Sequence, residues 1–229
     1  MKRKLYIVIG AFGSGKSEYS INLAKRLHDA GEPTVLVDLD VVNPYFRSRD
    51  VVEQFQKEGI EVVAPEGENR FADLPMLSPK IKGSIENTEK TVILDVGGDP
   101  SGCRTLSRYE REIKNRGYEM QFIVNTKRPF TSTKNDILKM MEQLEAVSKM
   151  KITEIICNTN LMEFTDKETV VEGVKIVREV ETEKNLKFRF FLVLDKYSEK
   201  IPDVISGKKK IVLNYFLNKP WELPPVHGI

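Results

Sequence analysis

The chain has 229 residues, enough for one large domain and for a core that needs no covalent staples. Hydrophobic residues at 40% and charged residues at 31% exclude a disordered chain. Lys+Arg at 36 against Asp+Glu at 34 leaves a net charge of +2, which gives no global reason to expect nucleic acid or an anionic membrane as partner.

In chain order, Met1-Lys2-Arg3-Lys4 is basic, but the apolar run after it lasts only from Leu5 to Ile9. That is too short for a signal peptide, so a cytoplasmic location is expected. Leu5–Ile9 reads instead as a strand, the first of seven. The others are Thr34–Leu39, Ile60–Val63, Thr91–Leu94, Gln121–Val124, Ile152–Cys157 and Phe188–Leu194. Several are continuous Val, Ile, Leu and Phe without alternation, as in strands covered on both faces.

Helical patterns lie between them. Ser17–Ala30 carries Ile21, Ala24 and Leu27 on one face, with Gly31 as its stop. Asn43-Pro44 starts a second helix that Gly59 ends. Thr133–Lys149 opens with Thr133-x-x-Asp136, a capping-box start, and Thr165-x-x-Glu168 opens another helix. Strands alternating with helices predict an α/β fold, a mostly parallel seven- or eight-stranded sheet with helices on both faces. Residues 1–229 are read as one domain, with an irregular insertion at about 64–90 and an extended tail at about 219–229. No apolar stretch is long enough to span a membrane.

Gly10-Ala11-Phe12-Gly13-Ser14-Gly15-Lys16-Ser17 fits G-x-x-x-x-G-K-[ST] between a strand and a helix, the context that marks a P-loop. Gly10, Gly13, Ser14 and Gly15 let backbone N–H groups turn inward onto a phosphate. The helix N-terminus beginning Lys16-Ser17-Glu18 adds partial positive charge. Lys16 is expected on the phosphates and Ser17 on Mg²⁺.

A second acidic strand end is needed, and Asp95 after Thr91–Leu94 supplies it as a Mg²⁺ ligand. Asp95-Val96-Gly97-Gly98 also fits D-x-x-G, with Gly98 as a γ-phosphate sensor. Asp38-Leu39-Asp40 closes the second strand. Asp40 is expected to orient the attacking water and to complete the metal shell, with a turn or capping role as the alternative for both carboxylates.

Gly10, Asp38/Asp40, Asp95, Asn125, Asn158 and Asp195 all stand where strands stop, the edge where parallel sheets bind ligands. Asn125 and Asn158 are candidates for reading a base, or else for helix capping. Asn125-Thr126-Lys127-Arg128 lacks the Asp of N-K-x-D, which favours adenine. Arg47, Arg49, Arg70 and Arg104 read first as surface ion pairs. Lys208-Lys209-Lys210 reads as the edge of a packed terminal helix sooner than as a lipid contact.

These motifs make the chain resemble the MinD/ParA/CobQ-type P-loop ATPases, the branch that includes the nitrogenase iron protein. The resemblance runs over roughly residues 3–205, carried by 10–17, Asp38-Leu39-Asp40, Asp95–Asp99 and Cys157–Asn160. It implies ATP and Mg²⁺ as cofactors, Asp40 in hydrolysis and Asn158 on adenine. Many members carry a second lysine beside the first P-loop glycine that reaches across a dimer, and here that place is Ala11. A homodimer is left open. Only Cys103 and Cys157 are present, and their placement argues against a bridged iron–sulfur cluster.

The function expected is a Mg²⁺-dependent ATPase acting as a nucleotide-driven switch for a protein client that the residues do not name. The alternatives are a small-molecule phosphotransferase or ligase, with an acceptor pocket from Arg70, Asp73 and Arg104, and a non-hydrolysing nucleotide-binding scaffold.

Overall fold

Each of the seven apolar runs forms a strand in the computed structural model, which describes residues 3–40, 52–63 and 79–216. They are β1 Leu5–Gly10, β2 Thr34–Leu39, β3 Glu61–Val63, β4 Thr91–Val96, β5 Glu119–Val124, β6 Glu154–Cys157 and β7 Phe190–Leu194. β8 Val204–Ile205 and β9 Lys208–Leu213, a hairpin with no long apolar run, bring the sheet of the described residues to nine strands where seven or eight were expected, in the order β3-β2-β4-β1-β5-β6-β7-β9-β8. Every neighbouring pair is parallel except β8–β9.

The absence of alternation has the anticipated cause. In β1, Leu5, Ile7 and Ile9 enter one core while Val8 enters the other. The helices α1 Lys16–Asp29 and α2 Val52–Glu58 cover the Val8 face. The opposite face is covered by α3 Pro79–Glu86, α4 Pro100–Arg104, α5 Glu110–Arg116, α6 Lys134–Ser148 and α7 Lys167–Lys184. A short α8, Asp195–Ser198, follows β7. No helix among the described residues is long and apolar enough to cross a membrane.

Local signals acted largely as expected. Gly31 and Gly59 take positive φ just past α1 and α2. Thr133 caps α6 in a complete capping box with Asp136. Three readings need correction. The cap of α7 is Asp166, whose side chain accepts from the Thr169 N–H, whereas the Thr165 hydroxyl bonds back within the preceding turn. The insertion is not irregular throughout, because 79–86 is α3. Lys208–Leu213 is a strand and not a helix: Phe190 to Leu194 pair with Lys209 to Leu213. Two of its three lysines are also committed to protein partners, Lys208 to Glu181 and Lys210 to the carbonyls of Ser198 and Ile201. That removes the basis for a lipid-facing cluster. The Asn43-Pro44 helix start, Arg47, Arg49, Arg70, Asp73 and the tail at 219–229 lie outside the described residues.

At the edge where the strands begin, Arg116 at the end of α5 holds three elements together. Nη1 donates to the carbonyls of Ser84, Ile85 and Asn87, and Nη2 to those of Lys4 and Lys90. Both nitrogens thereby tie the C-terminal end of α3 to the starts of β1 and β4. Arg116→Met would leave these carbonyls without their donor and should cost at least about 3 kcal/mol. Urea unfolding measures it, and a loss below about 1 kcal/mol would show that Arg116 is dispensable to the fold.

Candidate functional site

The site is built where β1 stops. The Ser14 N–H bonds the Ala11 carbonyl, and Gly13 and Gly15 take φ of +71° and +85°, conformations that turn the loop around its own N–H groups. A Cβ on Gly10 would stand 2.5 Å from the Ile123 carbonyl oxygen, so only glycine fits between β1 and β5 there. Gly15 opens α1, and the Tyr19 N–H donates to its carbonyl.

Lys16, in the first turn of α1, is 6% exposed. Its Nζ lies 3.1 Å from Asp40 Oδ2, and Asp40 is equally buried at the end of β2. Asp38 turns the chain for it: the Asp40 N–H donates to Asp38 Oδ1 at 2.9 Å, the turn role offered as the alternative. Asp95 is fully buried on β4 and shares register with Asp38. Its Oδ1 accepts from Ser20 at 3.3 Å, while its Oδ2 makes no hydrogen bond to a described residue. Burial raises its pKa to about 7. Lys16 and the Ser17 hydroxyl oppose that rise, and the charges of Asp38 and Asp40 add to it.

Gly98 packs directly on the loop. A Cβ there would meet the Gly10 carbonyl oxygen and the Phe12 nitrogen at 3.0 Å, both backbone atoms that cannot swing aside. Gly97 and Gly102 make a similar approach, which lets α4 start beside the strand end. Asp99 caps α4 through the Gly102 N–H at 2.7 Å.

The two asparagines divide. Asn125 ties two loops together: its Nδ2 donates to the Asn160 carbonyl, and its Oδ1 accepts from the Lys127 N–H. Asn158 reaches the P-loop itself, with Nδ2 donating to the Ser14 carbonyl at 2.7 Å. In this structure its amide is thus engaged with the loop. Thr159 beside it packs tightly on Gly173 of α7.

Thus Gly10, Gly13, Ser14, Gly15, Lys16, Ser17, Asp40, Asp95, Gly98 and Asn158 converge at one sheet edge. Glu18 is drawn elsewhere: its Oε1 accepts from the Phe216 N–H at 2.6 Å. Asn22 clamps both the N–H and the carbonyl of Asn214, and Arg26 donates to the Val212 carbonyl. This strap along α1 was not foreseen. Its signal is Glu18, Asn22 and Arg26 at i, i+4 and i+8, but spacing alone does not name the backbone that they hold. Arg128 was also missed as a site residue. Its Nε donates to the Gly13 carbonyl at 3.1 Å.

Both cysteines lie in the apolar core. Burial pushes the Cys103 thiol up to about 12 and raises Cys157 as well. They sit on separate elements, Cys103 on α4 and Cys157 on β6. Arg104 is exposed on α4.

No family model and no curated protein matches the chain. Solved structures do. FtsY from Thermotoga maritima aligns at 18% identity and a TM-score of 0.54, covering 83% of this chain and 62% of that one. FtsY from Mycoplasma mycoides aligns at 14% identity and 0.58, covering 84% and 60%. The signal recognition particle receptor FtsY from Elizabethkingia anophelis, in complex with GDP, aligns at 16% and 0.54, covering 84% and 57%. The chain therefore spans about 60% of the length of the structures it matches. The shared fold is that of a P-loop NTPase. These likenesses do not reach down to a branch within it.

Gly98→Ala should force the loop and β4 apart, costing about 1–3 kcal/mol in thermal stability. Gly83→Ala, in α3 with open space around its Cβ, is the matched control and should stabilise by about 0.5–1 kcal/mol. Equal behaviour of the two variants would contradict the close approach at Gly98.

Proposed function

We propose that this site binds a magnesium nucleotide and hydrolyses it, with the chain acting as a nucleotide-driven switch for a protein client. The observation that carries the reading is the Lys16–Asp40 pair, 3.1 Å apart and buried at the mouth of a positive-φ glycine loop. A lysine in such a loop is placed to exchange a carboxylate for a phosphate.

In this reading the loop N–H groups and Lys16 bind and orient the phosphates. Ser17 and Asp95 hold Mg²⁺, with Asp40 completing the shell. The fit rests on the donor set, hard oxygens only, and on the buried Asp95 Oδ2, which makes no hydrogen bond to a described residue. A bound Mg²⁺ would supply neutralisation of the phosphate charge at this site. Phosphate binding draws Lys16 from Asp40, whose carboxylate then accepts a hydrogen bond from the attacking water and orients it. Gly98, already against Gly10 and Phe12, offers its N–H as the sensor of the terminal phosphate.

Adenine is favoured over guanine because no acid follows Asn125-Thr126-Lys127-Arg128. The GDP-bound FtsY on the same fold makes GTP the necessary comparison. Membership of the MinD/ParA/CobQ branch, the reading under which Asp40 serves hydrolysis and Asn158 contacts adenine, is part of the proposal.

Lys16→Ala should lower affinity for ATP by at least about 100-fold in a fluorescent-nucleotide titration, with GTP as competitor. Unchanged affinity would sink the P-loop reading. Asp40→Asn should bind ATP within a few-fold of the parent while phosphate release falls by at least about tenfold. A parent-like rate in that variant would remove Asp40 from the chemistry.

A further inference from the structure

Arg128 stands out among the cations at this edge. Its Nε donates to the Gly13 carbonyl at 3.1 Å, and Gly13 is so close that a Cβ there would lie 3.0 Å from that nitrogen. The backbone carrying it is fixed from both sides: the Arg128 N–H donates to the Asn125 carbonyl, and the Arg128 carbonyl accepts from the Thr131 N–H. Pro129 holds the next φ. Asn125 in turn is locked to the neighbouring loop through Asn160. A rigid turn after β5 therefore lays a guanidinium along the outer rim of the P-loop. Among the described residues it has no carboxylate partner within ion-pair distance, unlike Arg189, which forks onto Glu154.

One nitrogen of a guanidinium spent on a carbonyl leaves the other two with their donors directed elsewhere, in a geometry suited to phosphate oxygens. The loop has only Lys16 as a cation of its own, because Ala11 stands next to Gly10. We infer that Arg128 is the second cation of the phosphate site, supplied in cis from the β5 turn and contacting the phosphate chain on its Gly13 side. The inference rests on the nucleotide reading of the P-loop and adds a residue that the motif does not contain.

The test titrates fluorescent ADP and ATP analogues into the intact chain and into Lys16→Ala, Arg128→Lys and Arg128→Gln. Gln keeps a donor for the Gly13 carbonyl and loses the charge. If Arg128 binds phosphate, Arg128→Gln weakens both nucleotides by about tenfold and flattens the salt dependence of binding, while Arg128→Lys recovers part of the loss. If Arg128→Gln binds like the parent while Lys16→Ala fails, the Gly13 contact is only a structural brace and the inference falls alone. If Lys16→Ala also binds like the parent, the nucleotide reading falls and takes the Arg128 assignment with it. Circular dichroism melting of each variant separates lost binding from lost fold. If the affinity loss in Arg128→Gln disappears under conditions where its melting shows it fully folded, the charge serves folding and the proposal is overturned.

Discussion

An ammonium group as deeply buried as Lys16 has to sit among anions, and that constraint organises the whole sheet edge. An isolated buried charge carries a large desolvation cost that opposite charges nearby offset. Asp40 lies 3.1 Å away, and the charge of the lysine also acts on Asp95. For these groups to meet, β4 must lie between β1 and β2, and the sheet order places it there. The lysine comes from a helix, one carboxylate from the end of β2 and the other from β4. Asp40 pairs with the lysine, Asp95 feels its charge, and Asp38 and Asp40 both act on Asp95. Their mutual repulsion adds to desolvation in raising the Asp95 pKa.

The loop that carries Lys16 is held by contacts too close for side chains. Gly98 lies against Gly10 and Phe12, Gly10 against Ile123 of β5, and Gly97 against Gly102. Asn158 and Arg128 complete the frame by donating to the carbonyls of Ser14 and Gly13. Backbone carbonyls facing outward to side-chain donors leave the N–H groups of the same loop turned inward. At the opposite edge, Arg116 gathers the carbonyls at the end of α3 and the starts of β1 and β4. One edge of the sheet is thus tied down by a structural arginine, and the other is left to polar groups and backbone.

The fold was legible because its signals are local. Continuous apolar runs mark strands buried on both faces, and Gly31, Gly59 and the Thr133–Asp136 box mark helix ends within a few residues. The segments that escaped lack such signals. α4 and α5 are short and joined by a 3-10 turn, with no apolar period long enough to read. β9 begins Lys208-Lys209-Lys210, which looks like a solvated face until Glu181 is seen to receive Lys208 and the Ser198 and Ile201 carbonyls to receive Lys210. Thr165 and Asp166 are both competent caps one residue apart, and only the helix phase chooses Asp166.

At the site, the residue types were legible and their partners were not. The sequence by itself determined a parallel α/β sheet with a glycine-rich loop at the end of its first strand, because periodicity and glycine placement are properties of neighbouring residues. It also determined that carboxylates and amides close several strands. Tertiary structure alone decided that Asp38 turns the chain for Asp40, that Asn125 joins two loops, and that Asn158 and Arg128 brace the P-loop. It likewise turned Glu18 toward Phe216. Each of these choices is a hydrogen bond, and all but the Asp38–Asp40 turn join residues distant in the chain. Such bonds depend on which strands lie side by side, and strand order follows from how two cores are filled on the two faces of one sheet.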